Sequence, residues 1–106
     1  MAESDPAITA LVEEARADFA RSLRAKAATL EDLVARGAWV DARRASHKLR
    51  GSAGVYGFAA LGAAAAALDD LMSGAGEAPD AAALAQIGDT LRHLRAEAER
   101  ASRDAP

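Results

Sequence analysis

Ser46-His47-Lys48-Leu49-Arg50-Gly51-Ser52-Ala53-Gly54-Val55-Tyr56-Gly57 places one of only two histidines inside a helical pattern, with a basic residue three positions on and a glycine four positions on. A helix advances about 100° per residue. Centring the buried face on Leu49 then gathers Ala42, Ala45, Ala53 and Tyr56 within roughly 40° of it, whereas His47 falls about 160° away. The imidazole is therefore expected to project into water. Val40, Arg43, Arg44, Gly51 and Gly54 share its face, and Lys48 and Arg50 lie on the two flanks. The face is small in volume and positive in charge.

Gly51 is the anomaly in this stretch. A glycine inside a helix costs about 1 kcal/mol relative to alanine, and this chain uses alanine almost everywhere else as a neutral helical filler. Four residues from His47, the missing side chain clears space beside the ring for a second macromolecule to approach. Arg50, at i+3, carries a guanidinium fork suited to a phosphoryl oxygen or a carboxylate. Taken singly, each feature has a plain alternative: a polar surface histidine, a glycine helix terminus, a solvated run of charge. Their combination on one exposed face is what points to function.

Outward from this stretch the chain reads as helices. Asp5 or Ser4 followed by Pro6 is a helix start. Ile8, Leu11, Val12, Ala15, Phe19, Leu23, Leu30, Leu33 and Val34 then form a stripe at steps of three and four that ends at Gly37. It fits one helix, or a short one followed by a long one. Trp39 through Tyr56 forms the next stripe, with Gly54 and Gly57 as its terminus. A third runs from near Phe58 through Leu61, Ala64, Ala65, Leu68, Leu71 and Met72 to Ser73-Gly74-Ala75-Gly76. After Pro79-Asp80, Leu84, Ile87, Leu91, Leu94 and Ala98 approximate a heptad seam. No segment alternates with period two. The expected fold is all-α, an antiparallel up-down four-helix bundle with or without an extra short N-terminal helix, because each stripe is too narrow to be buried except against its neighbours. One domain spans residues 1–106, with residues 1–4 and 102–106 expected to be disordered ends and Gly74 to Asp80 the longest connection.

Composition narrows the function. Half of the 106 residues are hydrophobic (51%), mostly alanine, so the helices must approach closely to bury enough area. The absence of cysteine excludes a disulfide framework and thiolate metal sites. No apolar run reaches the roughly 20 residues that span a bilayer, so a soluble, cytoplasmic protein without a membrane partner is expected. A net charge of −3 argues against nucleic-acid binding. The local basic patch around His47 instead suits a small anionic group or an acidic protein surface.

His47-Lys48-Leu49-Arg50-Gly51-Ser52-Ala53, with Gly57 following, resembles the His-x-Leu-Lys-Gly signature of histidine-containing phosphotransfer (HPt) domains, the helical-bundle phosphocarriers of multistep two-component signalling. The resemblance extends to Phe19, to Arg36-Gly37 before the histidine helix, to the Leu61 to Leu68 stripe and to the leucine-rich last helix. It implies that His47 accepts a phosphoryl group on its outer ring nitrogen from a receiver-domain aspartyl phosphate and passes it to another receiver aspartate. Arg50, at the family's lysine position, would offset phosphate charge, and Gly51 would leave room for the receiver. The substitution of arginine for lysine retains charge but changes shape and reach. Lys48 adds a charge where the signature is open. Lys48, Arg43, Arg44 and Gly54 complete the expected phosphate- and partner-binding face.

The partners so implied are response-regulator receivers, including one carried by a hybrid histidine kinase. The chain itself is expected to be a monomeric, stand-alone carrier with no cofactor, no metal site and no ATP-binding kinase domain. A non-catalytic adaptor that binds an acidic partner through the same basic face is the alternative. Gly51 to Gly57 superficially resembles a phosphate-cradling glycine loop, but a helix precedes it instead of a strand. Asp89, His93 and Glu97 share a helix face, where charge pairing is commoner than metal binding. Asp69 and Asp70 are adjacent, so they are expected to diverge around their helix. With no carboxylate cluster expected near His47, a magnesium ion in a transfer complex would belong to the receiver.

Overall fold

Asp5 opens the first helix: its side chain accepts from the Ala7 amide at 2.8 Å, and Pro6 fills the first helical position where no amide donor is needed. The computed structural model describes residues 5–76 and 78–105, so the expectation of disorder at 1–4 lies outside the described residues, as does Pro106. Four helices follow one another, α1 Pro6–Ala35, α2 Trp39–Tyr56, α3 Ala59–Gly74 and α4 Ala81–Arg103. No strand occurs among the described residues. Among the described residues the N-terminal stripe is one helix, not a short one followed by a long one. At the other end α4 runs on through Arg103, so Ser102, where fraying was expected to begin, lies in its last turn. The Asp104 amide there bonds the Arg100 carbonyl.

The connections explain why the bundle is antiparallel. Gly37 and Gly57 both adopt left-handed backbone, with φ of 69° and 79°, a region that glycine enters without a Cβ clash. Around each, two amides turn back onto the last turn of the helix: Gly37 to Val34 and Ala38 to Leu33, then Gly57 to Gly54 and Phe58 to Ala53. This pair of bonds is the Schellman arrangement. Ala38 and Phe58 then serve as N-caps of the next helices, accepting from Ala42 and Gly62. The chain thus reverses within residues 36–38 and again within 57–58. The longer segment 75–80 leads to Asp80, which caps α4 by accepting from the Ala83 amide at 2.8 Å.

Each helix packs on two neighbours: α1 and α3 both flank α2 and α4. Leu23, Leu30, Leu68, Ile87 and Leu94 are the largest fully buried side chains, and alanines 27, 42, 53, 64 and 65 let the axes approach. At the α2–α3 turn Phe19 stacks on Tyr56 with centroids 4.9 Å apart and tilts against Phe58 at 5.7 Å. Arg16 lies 4.2 Å over the Phe58 ring and donates to the Tyr56 carbonyl at 2.9 Å, satisfying an otherwise open end of α2. Farther along, Arg95 of α4 grips Glu31 of α1 through both carboxylate oxygens, its Nε at 3.0 Å from each. Its hydrogen bond to Glu31 raises the guanidinium pKa above its already high ordinary value, so Arg95 keeps its charge at every working pH.

The stripe on α1 is buried only from Phe19 onward; Ile8, Leu11 and Val12 stay exposed. The reason is length. A 30-residue helix spans about 45 Å, longer than any of the other three helices, and the molecule is 51 Å along its principal axis.

Candidate functional site

His47 sits in the middle of α2 with its side chain 76% exposed. Its ring is nevertheless anchored. Nδ1 lies 2.9 Å from Oδ2 of Asp69 on α3, and that carboxylate is itself buried, with a side-chain exposure of 9%. An ionised carboxylate can only accept, so Nδ1 is the donor of this bond. The α2–α3 turn makes the meeting possible: His47 precedes Gly57 by ten residues and Asp69 follows it by twelve, so both lie about 15–18 Å from the reversal at 1.5 Å per residue.

Asp69 also receives Arg50, whose Nη1 stands 3.5 Å from Oδ2, while the same nitrogen is 3.6 Å from Oδ1 of Asp70. Carboxylates therefore do stand beside His47, which sequence reading did not anticipate. The two aspartates do diverge, Asp69 inward and Asp70 outward with 76% exposure, yet both reach the histidine face through Arg50. They do so because Arg50 leans across the α2–α3 seam. The arginine expected to be free for an incoming anion is held by two carboxylates instead. Among the described residues no group of three or more His, Cys, Asp or Glu side chains is placed to hold a metal. On α4, Asp89 and Glu97 pair with Arg92 and Arg100.

Val40, Arg43, Arg44, His47, Asp69 and Ser73 line a shallow, open depression beside the ring. Arg43 and Arg44 thus join His47, and Arg44 also reaches Asp41 at 3.9 Å. Gly51 and Gly54 are exposed, and a Cβ added at either would meet nothing within 4 Å. Neither glycine is required by packing inside this chain. Lys48 is not brought to the depression; it lies on the opposite flank of α2, in a groove with Ser22, Lys26 and Thr29 of α1. The residue missed by sequence reasoning is Asp69. Its signal was its register: it stands four after Ala65 and three before Met72 on an otherwise apolar face, and a carboxylate there needs a partner.

A solvent-facing imidazole, held from behind and bordered by arginines, can act as a nucleophile toward an anionic electrophile. The comparison with known families agrees with this chemistry. The Hpt domain family model matches residues 14–103, and the chain belongs to that family. Hpt domains carry phosphoryl groups on histidine in phosphorelays, without kinase activity of their own, and interact with receiver domains of response regulators and with histidine kinases. No curated protein and no solved structure matches the chain. No helix among the described residues is long and apolar enough to cross a membrane.

Proposed function

We propose that the chain is the histidine phosphotransfer component of a multistep phosphorelay, accepting a phosphoryl group on His47 from one receiver aspartate and donating it to another. The observation that carries this reading is the exposed ring of His47, anchored through Nδ1 so that its other nitrogen faces outward. In the transfer the lone pair of that outer nitrogen attacks phosphorus in line, and the bond to the receiver's aspartyl oxygen breaks with its electron pair returning to the carboxylate. Catalysis of this kind is positioning plus charge compensation. Arg50 supplies the charge once it turns from Asp69 and Asp70 toward the phosphoryl oxygens, and Arg43 and Arg44 add to the field of the depression. Gly51 and Gly54 leave α2 bare where a receiver must approach, and Lys48 meets the receiver nearer α1. The protein works as a monomer among cytoplasmic receivers, drawing its phosphate from them and not from ATP.

Incubation with a labelled phospho-receiver tests the reading. The wild-type chain should gain acid-labile, base-stable label and His47→Gln should gain none. Equal labelling of the two proteins, or none of the wild type, refutes it. If His47→Gln instead binds its partner normally while charge reversal at Arg43 and Arg44 abolishes binding, the basic face serves a non-catalytic adaptor.

A further inference from the structure

Arg50 stands between two carboxylates of α3: its Nη1 is 3.5 Å from Oδ2 of buried Asp69 and 3.6 Å from Oδ1 of exposed Asp70. Other arginines pair within their own helix, as Arg36 with Asp32, Arg44 with Asp41 and Arg92 with Asp89, at spacings of three or four. Arg50 has no acid at those spacings on α2, where positions 46, 47, 53 and 54 are Ser, His, Ala and Gly. It reaches across the seam instead. Two carboxylates thus face one guanidinium before any phosphate has arrived.

That excess charge acts differently on the two states of the histidine. In the resting chain Asp70 attracts Arg50. A phosphoryl group on the outer ring nitrogen competes for the same guanidinium and brings further negative charge. As Arg50 turns to it the Asp70 contact is lost, and the carboxylate left behind repels the phosphoryl oxygens. Contacts of 2.9, 3.5 and 3.6 Å link the ring to Asp70 through Asp69 and Arg50. The Asp70 carboxylate therefore lies within about 10 Å of the ring, the Debye length at about 0.1 M salt. Both effects raise the free energy of the phosphorylated chain against the resting one.

We infer that Asp70 sets the transfer potential of the histidine: its carboxylate keeps phosphorylated His47 high in free energy, so that the chain hands its phosphoryl group on to a receiver instead of storing it. The inference rests on the phosphotransfer reading of His47. Asp70 takes no part in the bonds. The outer ring nitrogen gains the P–N bond as the receiver's aspartyl P–O bond breaks with its electrons to the carboxylate, and donation runs the same exchange backward. Arg43 and Arg44, which line the depression, favour the phosphoryl group, and Asp70 opposes them. The balance fixes how phosphate divides between histidine and receiver.

The test is the equilibrium partition of label between the chain and a receiver, at concentrations low enough that their complex is sparse. The quotient then depends on the free proteins alone, and a change in docking alters only how fast it is reached. Asp70→Asn should move the quotient toward phosphorylated His47 by about two- to fivefold, the range of an exposed charge pair. Asp70→Glu, which keeps the charge, should stay near the wild-type value. Because Asp70 is exposed, neither variant removes a buried group. The difference between wild type and Asp70→Asn should shrink at about 1 M salt, where the Debye length is about 3 Å; a repacked α3 would not respond to salt in this way. An unchanged or lowered quotient in Asp70→Asn, or a rise that Asp70→Glu shares or high salt leaves intact, overturns the inference while leaving His47 as the acceptor. A wild-type chain that takes no label overturns the phosphotransfer reading itself, and with it the role given to Asp70.

Discussion

Gly62 of α3 passes Ala53 of α2 so closely that a Cβ on the glycine would sit 3.5 Å from the alanine's Cβ. Two helix turns farther along the same seam, Asp69 reaches His47. The approach of these helices at their small residues therefore sets the distance across which the site is assembled. Gly62→Ala adds an ordinary contact and should keep or raise stability, by up to about 1 kcal/mol from helix propensity. Gly62→Leu overfills the seam and should cost about 1–3 kcal/mol while slowing phosphotransfer, since Asp69 is carried away from the ring. Thermal melts and label transfer on both variants check the pair.

The glycines of α2 should respond with opposite signs. Gly51 has ordinary helical backbone and open space around it, so Gly51→Ala should stabilise the fold by up to about 1 kcal/mol. Gly57 holds φ at 79°, and Gly57→Ala should cost about 1–2 kcal/mol for placing a Cβ in left-handed backbone. Denaturant midpoints measure both. Gly51→Gln should fold normally yet transfer phosphate more slowly by obstructing the receiver; an unchanged rate would remove the docking role of this glycine.

Burial along α1 and α3 separates structural from peripheral apolar residues. Leu68 is fully buried, and Leu68→Ala should cost about 2–5 kcal/mol. Alanine at Ile8, Leu11 or Val12, which stand beyond the packed part of the bundle, should change stability by no more than about 0.5 kcal/mol. Urea unfolding of the four variants gives the comparison directly.

Charge at the site should act at two ranges. Arg50→Ala removes the cation next to the accepting ring and should slow transfer, with Arg50→Lys recovering most of the rate because the charge returns. Reversal of Arg43 and Arg44 should slow receiver association by about tenfold at low salt, an effect that fades as salt is added. Stopped-flow binding at two ionic strengths separates the effects: Arg50 should alter transfer within the complex, and Arg43 and Arg44 its formation.

Much of this was legible in the chain because helical periodicity and helix punctuation are local properties. The stripes, Asp5-Pro6, Gly37, Gly57 and Asp80 were enough to read an all-helical bundle and most of its helix ends, though not whether the first stripe was one helix or two, nor that α4 runs on through Arg103. His47 was legible for the same reason, since its angular offset from Leu49 follows from helix geometry alone. The exposed start of α1 was not, because a stripe records what a helix could bury and not how long its neighbours are. Arg50 was read as free because its sequence neighbours are uncharged or basic; the carboxylates that hold it are about 20 residues away.

The sequence by itself determined the class of fold, the helix that carries His47 and the face on which the ring stands, all of them consequences of spacing within one helix. Only the tertiary structure decided what lies behind that ring. Asp69 meets His47 because the glycine-closed reversal at Gly57 and a seam of small residues fix the register of α3 against α2. That register depends on packing between helices, and no spacing within either helix encodes it.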